Sequence, residues 1–395
     1  MLVDALDAIR RRGGPGPELA VRLDLALSLG PRHVWRRLRE DARDRRRADP
    51  RYRIYARIWH EAARELGAEV ATLGDAGFLE IRRGRASTRV WHHWVMLDDV
   101  VTARLALEKA LVHRLVGAAG VPVPQHREFS TRDVRGAVEF LDGGARPCVV
   151  KPGGASSGSG ATSGIVSRDD LLRAVLRAGR VDDRLLVERQ SPGRVYRLLF
   201  LDGELLDVIE RQAPSVTGDG HSTIAKLIAD ENRRRLESNG DDGPMLLAID
   251  LECLLTLRNA GLKLDTVPAA GERVPVKTVT NQNGRRENRS VVGAVSPELV
   301  AEAAAAASAV GVRLAGVDVI TTDPAQSLAG GEGVVIEVNA TPGLHYHYLV
   351  ADPSEAQSVA VPILERLLQE SRLTTASPTS CVPSADGSLR VALRS

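Results

Sequence analysis

Apolar residues recur along this chain at two periods, and the switches between them mark out its elements. Ile54, Ile58, Ala62 and Leu66 fall at helical spacing, Gly67 follows as a stop, and Ala68 to Leu73 reads as a strand. Phe78 to Met96 holds short strands about a turn at Arg82 to Arg85. Residues 1–50 read as arginine-rich helical segments broken at Gly13 to Pro17. Together these pieces predict a small α/β domain over residues 1–100.

A helix is expected to begin near Asp98 and Asp99 and to carry Lys109, Leu111, Leu115 and Val116. It ends at Gly117 to Gly120, because Val121-Pro122-Val123-Pro124 cannot continue it. A helix over Val134 to Leu141 leads to a strand, Pro147 to Lys151, which runs into PGGASSGSGATSG and then Ile165. A helix over Leu171 to Ala178 and a strand over Leu185 to Glu188 follow. Val195 to Leu201 and Leu205 to Arg211 predict a hairpin with Asp202-Gly203 at its tip. The turn Thr217 to Gly220 caps a helix from Ser222 to Arg235, and residues 240–300 are mixed in pattern. An alanine-rich helix, Pro297 to Val310, precedes strands Leu314 to Thr321 and Gly333 to Val338. Residues 356–371 predict the last helix, and the Ser/Thr/Pro-rich tail 373–395 predicts disorder.

Composition narrows the picture only a little. A chain of 395 residues, 43% hydrophobic and 26% charged, has room for two or three ordinary domains. With 3% aromatic residues its core must be built from Leu, Val, Ile and Ala. A net charge of +2 gives no global field to attract a polyanion. The basic run Arg36 to Arg53 is interrupted by Glu40, Asp41, Asp44 and Asp49, so a solvated helix face is favoured over a nucleic-acid patch. Cys148, Cys253 and Cys381 are scattered and odd in number, and imply neither a disulfide framework nor a metal quartet. No apolar leader or long apolar run is present, so a cytoplasmic location is expected and membrane spanning is not.

Candidate chemistry begins with the loop Gly153 to Gly160. Small residues let backbone N–H groups approach phosphate oxygens. The loop is neither a Walker motif nor a dinucleotide fingerprint, and taken alone a mobile linker is the better reading. Lys151 just upstream adds a point charge beside it. The only lysines are Lys109, Lys151, Lys226, Lys263 and Lys277; the other basic positions are arginine. A position that stays lysine in such a chain is a candidate for a compact ammonium, with chance survival as the alternative.

In Val335 to Asn339, Glu337 and Asn339 are two apart and share one strand face. Asp318 stands among apolar residues on the preceding strand, and antiparallel pairing of the two brings Asp318 beside Glu337. Carboxylates on an apolar face are costly, and a divalent cation with oxygen ligands removes that cost. Solvent-facing polar residues on an edge hairpin are the competing reading. In the following segment, Ala340 to His347, Gly343 can offer an unobstructed N–H to an oxyanion. His345 and His347 lack a third ligand for zinc, so substrate contact or plain hydrogen bonding is expected of them. His92 and His93 read as structural.

Seven segments in order, LEKALVHRLVGAAGVPVP, CVVKPGGASSGSGATSGI, LLVERQSPGRVYRLLFLDGELL, TGDGHSTIAKLI, LDTVPAAGERVPVK, AGVDVIT and VIEVNATPG, resemble the ATP-grasp superfamily. The resemblance is greatest to the ATP-grasp half of cyanophycin synthetases and to glutathione-synthetase-type ligases, and runs from Leu105 to Leu349. It implies an α/β fold of α+β lobes that clasp ATP, with an N-lobe over residues 101–190 and a C-lobe over 191–372. By resemblance, Lys109 and Lys151 would contact the ATP phosphates under a loop containing Gly153, Gly154, Ser156, Ser157 and Gly158. Glu188, Arg189 and Gln190 would line the adenine, and Asp318, Glu337 and Asn339 would bind two Mg²⁺. Arg197, Lys277 and Gly343 stand as catalytic residues, and His345 and His347 face substrate. Two departures stand out: Val195 replaces an acidic ribose ligand, and NQNGRRENRS, with Arg285, Arg286 and Arg289, shapes the acceptor site. The sequence stops before a Mur-ligase-like half, so a polymerase is not expected.

The activity implied is ATP-dependent joining of a small-molecule carboxylate to an amine through an acylphosphate, in natural-product or small-peptide assembly. Nucleic acid and membrane are not expected partners, and a homodimer is left open. The alternatives are phosphate transfer to a hydroxyl and a non-catalytic ATP-binding module.

Overall fold

A computed structural model describes residues 23, 25–30, 50–74, 76–155, 158–238 and 245–375. The chain divides into two compact units, one of residues 1–54 and 98–357, the other of residues 55–97 and 358–395.

In the smaller unit, strands β1 (Glu69–Leu73), β2 (Phe78–Arg83) and β3 (Ala86–Trp91) form an antiparallel sheet in the order β1-β2-β3. The alternation of β3 buries Ala86, Thr88 and Val90 and exposes the residues between them. Helix Pro50–Glu65 buries Ile58, Trp59 and Ala62, and the Trp59 indole N–H donates to the His92 carbonyl at 2.7 Å. Helix Ala360–Thr375 packs on β3, where the Ser87 amide donates to Ser371 Oγ at 3.1 Å. The smaller unit's first segment ends at Leu97. The last helix, expected in the C-terminal lobe, groups instead with the early strands, and it runs through residues 373–375, where the tail was expected to start. The remaining tail, 376–395, and most of the arginine-rich residues 1–50 lie outside the described residues.

The larger unit is built on two principal antiparallel sheets. Strands β4 (His126–Ser130), β5 (Cys148–Pro152), β6 (Thr162–Ile165) and β7 (Arg184–Arg189) lie in the order β4-β7-β5-β6. One face, Cys148, Val150, Leu185 and Val187, is buried with apolar residues of helices Arg135–Asp142, Arg168–Ala178 and Leu251–Asn259. The two-residue period therefore puts Lys151 and Glu188 on the opposite face. The helix expected through residue 118 is broken at Glu108 into Val100–Leu107 and Lys109–Ala118. The break places Lys109 at a helix start, where its otherwise orphaned N–H donates to the Gly153 carbonyl at 3.0 Å.

Strands β8 (Arg194–Leu201) and β9 (Glu204–Arg211) form the predicted hairpin, with Asp202 and Gly203 both at positive φ in its turn. Strands β10 (Ser215–Thr217) and β11 (Arg273–Pro275) pair separately. Strands β12 (Asn288–Ser290), β13 (Leu314–Thr321) and β14 (Val334–Ala340) complete a five-stranded sheet in the order β12-β9-β8-β13-β14. Helix Pro297–Val310 covers its apolar face, Leu198, Phe200, Val208, Val317 and Val319. Among the described residues no helix is long and apolar enough to cross a membrane.

Gly316 on β13 is fixed by close approach: a Cβ there would lie 2.6 Å from Pro342 Cβ. Gly316→Ala must therefore push the Pro342 turn away from the strand. The substitution is expected to lower stability by about 1–3 kcal/mol. A urea midpoint equal to that of the wild type would disprove the packing of that turn on β13.

Candidate functional site

The polar face of the five-stranded sheet follows from its register. Asp318 on β13 lies opposite Glu337 on β14 and opposite Arg197 on β8, while Gly316 lies opposite Asn339. The antiparallel pairing expected from sequence is therefore present. A bulge interrupts β14: Asp318 pairs with Glu337 and Val319 with Val335, so Ile336 has no opposite residue. β14 is also the sheet's edge.

Arg197 makes a two-pronged hydrogen bond to Asp318, with Nε at 2.7 Å from Oδ1 and a terminal nitrogen on Oδ2. Burial works against the Arg197 charge, but the Asp318 carboxylate more than offsets it and holds the guanidinium above its ordinary pKa. Lys109 Nζ lies 3.5 Å from Glu337 Oε1 and also donates to the Ala155 carbonyl. Burial would push the Glu337 carboxyl up; Lys109, Lys151 and Arg197 together hold it below its usual value. Lys151 Nζ lies 2.7 Å from Glu188 Oε1 and 3.5 Å from the Ile336 carbonyl. The Asn339 amide donates to the Gly316 carbonyl at 3.2 Å. These groups come together on the facing surfaces of the two sheets.

Other expected site residues have different surroundings. Lys277 is buried with its ammonium 2.9 Å from Asp250, which Arg177 also contacts at 2.8 Å. His347 is fully buried, with Nδ1 2.7 Å from Asp207 Oδ2, which ties the ring to β9. His345 is buried with its ring 4.0 Å from that of Tyr346. Gly343 is needed for close packing, since a Cβ would lie 2.9 Å from the His345 ring. The amides of Gly153 and Gly154 donate to the Arg184 carbonyl and to Asp182, which leaves neither N–H free in this conformation for a phosphate. Gly158 has a positive φ and approaches Asn281, and Ser156 and Ser157 lie outside the described residues. The Arg189 side chain is exposed, and the Gln190 side chain accepts from the Gly164 amide at 2.8 Å. Arg285 is half-buried, whereas Arg286 and Arg289 are exposed.

Two residues escaped the sequence reading. Arg211, on β9, is buried over the Tyr346 ring, with its guanidinium carbon 4.2 Å from the ring centre. It donates to the Thr280 carbonyl at 2.9 Å, and Asp318 is 3.9 Å away. Burial holds its pKa below the ordinary value, with neighbouring Arg197 adding to the effect. The hairpin register carried the signal, because Arg197 opposite Ile209 puts Arg211 on the same face two residues on. His113 lies one helical turn beyond Lys109, a spacing that shares a face. Its Nε2 is 3.2 Å from the Ile336 carbonyl and its Nδ1 3.6 Å from Glu188 Oε1.

Two carboxylates and an amide are hard oxygen donors of the kind magnesium takes, and their opposition in register fits such an ion. Among the described residues no cluster of three acidic, histidine or cysteine side chains could hold a metal by itself. The remaining ligands would have to come from phosphate and water.

No known protein-family profile matches the chain. It is 32% identical over 250 residues to cyanophycin synthetase of Trichormus variabilis, covering 63% of this chain and 28% of that protein. It is 30% identical over 282 residues to the glutathione biosynthesis bifunctional protein GshAB of Streptococcus mutans, covering 69% of this chain and 37% of that one. The chain thus spans well under half the length of these relatives. A crystal structure of a bifunctional glutathione synthetase from Pasteurella multocida superposes with a TM-score of 0.50 at 24% identity, over 78% of this chain and 44% of that one.

Burial lowers the His113 pKa from 6.5 to about 4, against the pull of Glu188. Between those values the unfolded chain binds a proton that the folded chain does not, so stability falls as pH drops from 7 towards 4. Between pH 7 and pH 5 the wild type should lose about 2 kcal/mol more than His113→Gln in urea melts. Equal losses would show that His113 is not held neutral.

Proposed function

We propose, on the premise of the ATP-grasp fold that this chain has, that it is an ATP-dependent carboxylate–amine ligase. The observation that carries the reading is the convergence of Lys109, Lys151 and Arg197 on a buried sheet face whose carboxylates, Asp318 and Glu337, stand opposite each other. Such a face suits a polyphosphate with its cation. Its cations match the phosphate charge, and its oxygen donors match magnesium.

In this reading Asp318, Glu337 and the Asn339 side-chain oxygen hold magnesium, with two ions expected, and the metal supplies charge neutralisation on the transferring phosphoryl group. Lys109 and Lys151 take the phosphate chain. The oxygen of a substrate carboxylate attacks the γ-phosphorus, the bond to ADP breaks, and an acylphosphate forms. Arg197 and Arg211 flank the place where negative charge gathers, and Tyr346 holds the Arg211 guanidinium in plane. An amine then attacks the acyl carbon, phosphate leaves with the bonding electrons, and the amine's proton passes to solvent or phosphate. The Gly343 turn lies beside this centre. The substrates are a small carboxylic acid and an amine, and residues 281–289 border the acceptor.

Because each cation already sits on a carboxylate, metal and nucleotide should be taken up together. Mn²⁺ without nucleotide should bind Lys109→Met about tenfold more tightly than wild type, as removing one unit charge beside Glu337 predicts. Equal affinities measured by electron paramagnetic resonance would count against this pairing.

The reading as a whole is tested by ADP release across a panel of amino acids with hydroxylamine as trapping amine. An acyl hydroxamate with stoichiometric ADP is expected. Lys151→Met and Glu337→Gln should each lower turnover at least about 10²-fold. Arg211→Lys should reduce turnover about tenfold or more while leaving ADP affinity unchanged, because the planar guanidinium faces the acid rather than the nucleotide. Full activity in Lys151→Met or Glu337→Gln would sink the site; a phosphorylated product with no hydroxamate would sink the ligase.

A further inference from the structure

Helix Leu251–Asn259 contributes nothing to the phosphate face, yet two carboxylates at its start each join the same two stretches of chain. One stretch is β6, which follows the glycine loop. The other is residues 277–279, which lead into the segment proposed to border the acceptor. Glu252 is 1% exposed. Its Oε2 accepts from the Ser163 amide at 2.8 Å, and its Oε1 from the Ser163 hydroxyl and the Thr278 and Val279 amides, each at 3.0 Å. Two donors come from each side, about the full accepting capacity of a carboxylate. Asp250 repeats the bridge. Its Oδ2 accepts from the Lys277 ammonium at 2.9 Å and from Arg177 at 2.8 Å, and Arg177 also donates to Thr162 Oγ1 at 2.8 Å. No strand pairing joins the two stretches: β6 is the edge of its sheet, and β11, just before Lys277, pairs with β10. They meet directly only further along, where a Cβ at Gly158 would lie 3.1 Å from the Asn281 side chain.

We propose that Glu252 is a positioning residue for the acceptor: it makes β6 and residues 277–283 one unit, so that a nucleotide held at Lys151 orders the acceptor border. This rests on the ATP reading above and adds to it a mechanical link between the two substrates. Lys151 stands on β5, which pairs with β6, so a phosphate at Lys151 reaches Ser163 through one strand pairing. Glu252 carries the order on to the Thr278 and Val279 amides, and the next residue, Thr280, holds Arg211 by its carbonyl. Parting the two stretches would leave donors unpaired around a buried carboxylate, which is costly, so they shift together. Such a coupling is reciprocal: the order that nucleotide gives to the acceptor border, acceptor contact returns to the nucleotide. An amine is useful only once the acylphosphate exists, and an acceptor border ordered by nucleotide suits that sequence of events.

The test is amide hydrogen exchange of the full chain with and without Mg²⁺ and the non-hydrolysable ATP analogue AMPPNP. In wild type the nucleotide is expected to slow exchange about tenfold or more in both stretches, 158–165 and 277–283. Glu252→Gln keeps the side chain's size but turns one acceptor into a donor. It should retain the slowing at 158–165 and lose it at 277–283. Ser163→Ala removes a single donor and should reduce the slowing at 277–283 to about threefold. Thermal melts establish that both variants are folded. A static brace would speed exchange at 277–283 equally with and without nucleotide, and that unchanged ratio in the folded variants overturns the proposal. Slowing at 158–165 alone in wild type overturns it as well, even if Glu252→Gln fails to fold, and leaves the ATP reading standing. No binding of AMPPNP by calorimetry removes both.

Discussion

The pairing of Arg197 with Asp318 is the interaction on which the rest of this site depends. Both groups are buried, and either one alone would be an uncompensated charge at a cost of about 3–5 kcal/mol. Their bond spans adjacent strands, β8 and β13, and uses both carboxylate oxygens. The same logic is repeated around them. Glu337 has Lys109 from the neighbouring helix, and Glu188 has Lys151 from the next strand. Each of these three carboxylates is balanced by a cation that is suited to some other ion. A polyphosphate can draw off the cations and a divalent metal the carboxylates, and the exchange leaves no buried charge unpaired at its end. Arg211 is the exception, with the Tyr346 ring and a carbonyl as its close partners and Asp318 only at 3.9 Å.

This charge arrangement needs backbone that regular elements do not supply. The break at Glu108 turns one predicted helix into two, and Arg184 holds the Glu108 carboxylate at 2.8 Å. The break presents the Lys109 side chain to Glu337 and ties its amide to Gly153. The bulge at Ile336 leaves a carbonyl that both His113 and Lys151 approach. Gly316 lets the Pro342 turn close down over β13, which brings Tyr346 against Arg197 and Arg211. None of these three irregularities is large, yet each is placed where a functional side chain leaves its element.

How much of this could be read from residues alone follows the same division. The hairpin at Asp202-Gly203 and the opposition of Asp318 and Glu337 came from the two-residue period, which is local and strict. The ATP-grasp fold came from motif order. The break at Glu108 was not legible, because Val100 to Ala118 has continuous helical spacing and the break is set by a contact with Gly153 far along the chain. The partner of Lys277, a catalytic candidate by sequence, was hidden for the same reason. Asp250 caps a helix in the mixed region, and nothing local announces that pair. For His347 the residues leave substrate contact and plain hydrogen bonding as alternatives, and only the fold supplies its partner Asp207, from a strand far back in the chain. Sequence pattern reports the partners within an element, and burial decides those between elements.

The segment Asn281 to Ser290 shows what this division implies for specificity. Its conformation is fixed from behind. Arg235, fully buried, donates to the Gln282 carbonyl at 2.7 Å, and Glu287 accepts from the Gly284 amide at 2.7 Å. Asn283 donates to Asn288, which in turn donates to the Leu349 carbonyl just past the glycine turn. The segment is thus held by the buried Arg235, by its pairing with β9, where Asn288 lies opposite Arg211, and by the turn that carries Tyr346. Arg285, Arg286 and Arg289 can therefore change without disturbing the Arg197–Asp318 pair, whereas Asn283, Glu287 and Asn288 cannot change without moving the segment's frame. The segment meets the Arg197–Asp318 face through Arg211, which pairs with Asn288 and donates to the Thr280 carbonyl, and it meets the glycine loop where Asn281 lies against Gly158.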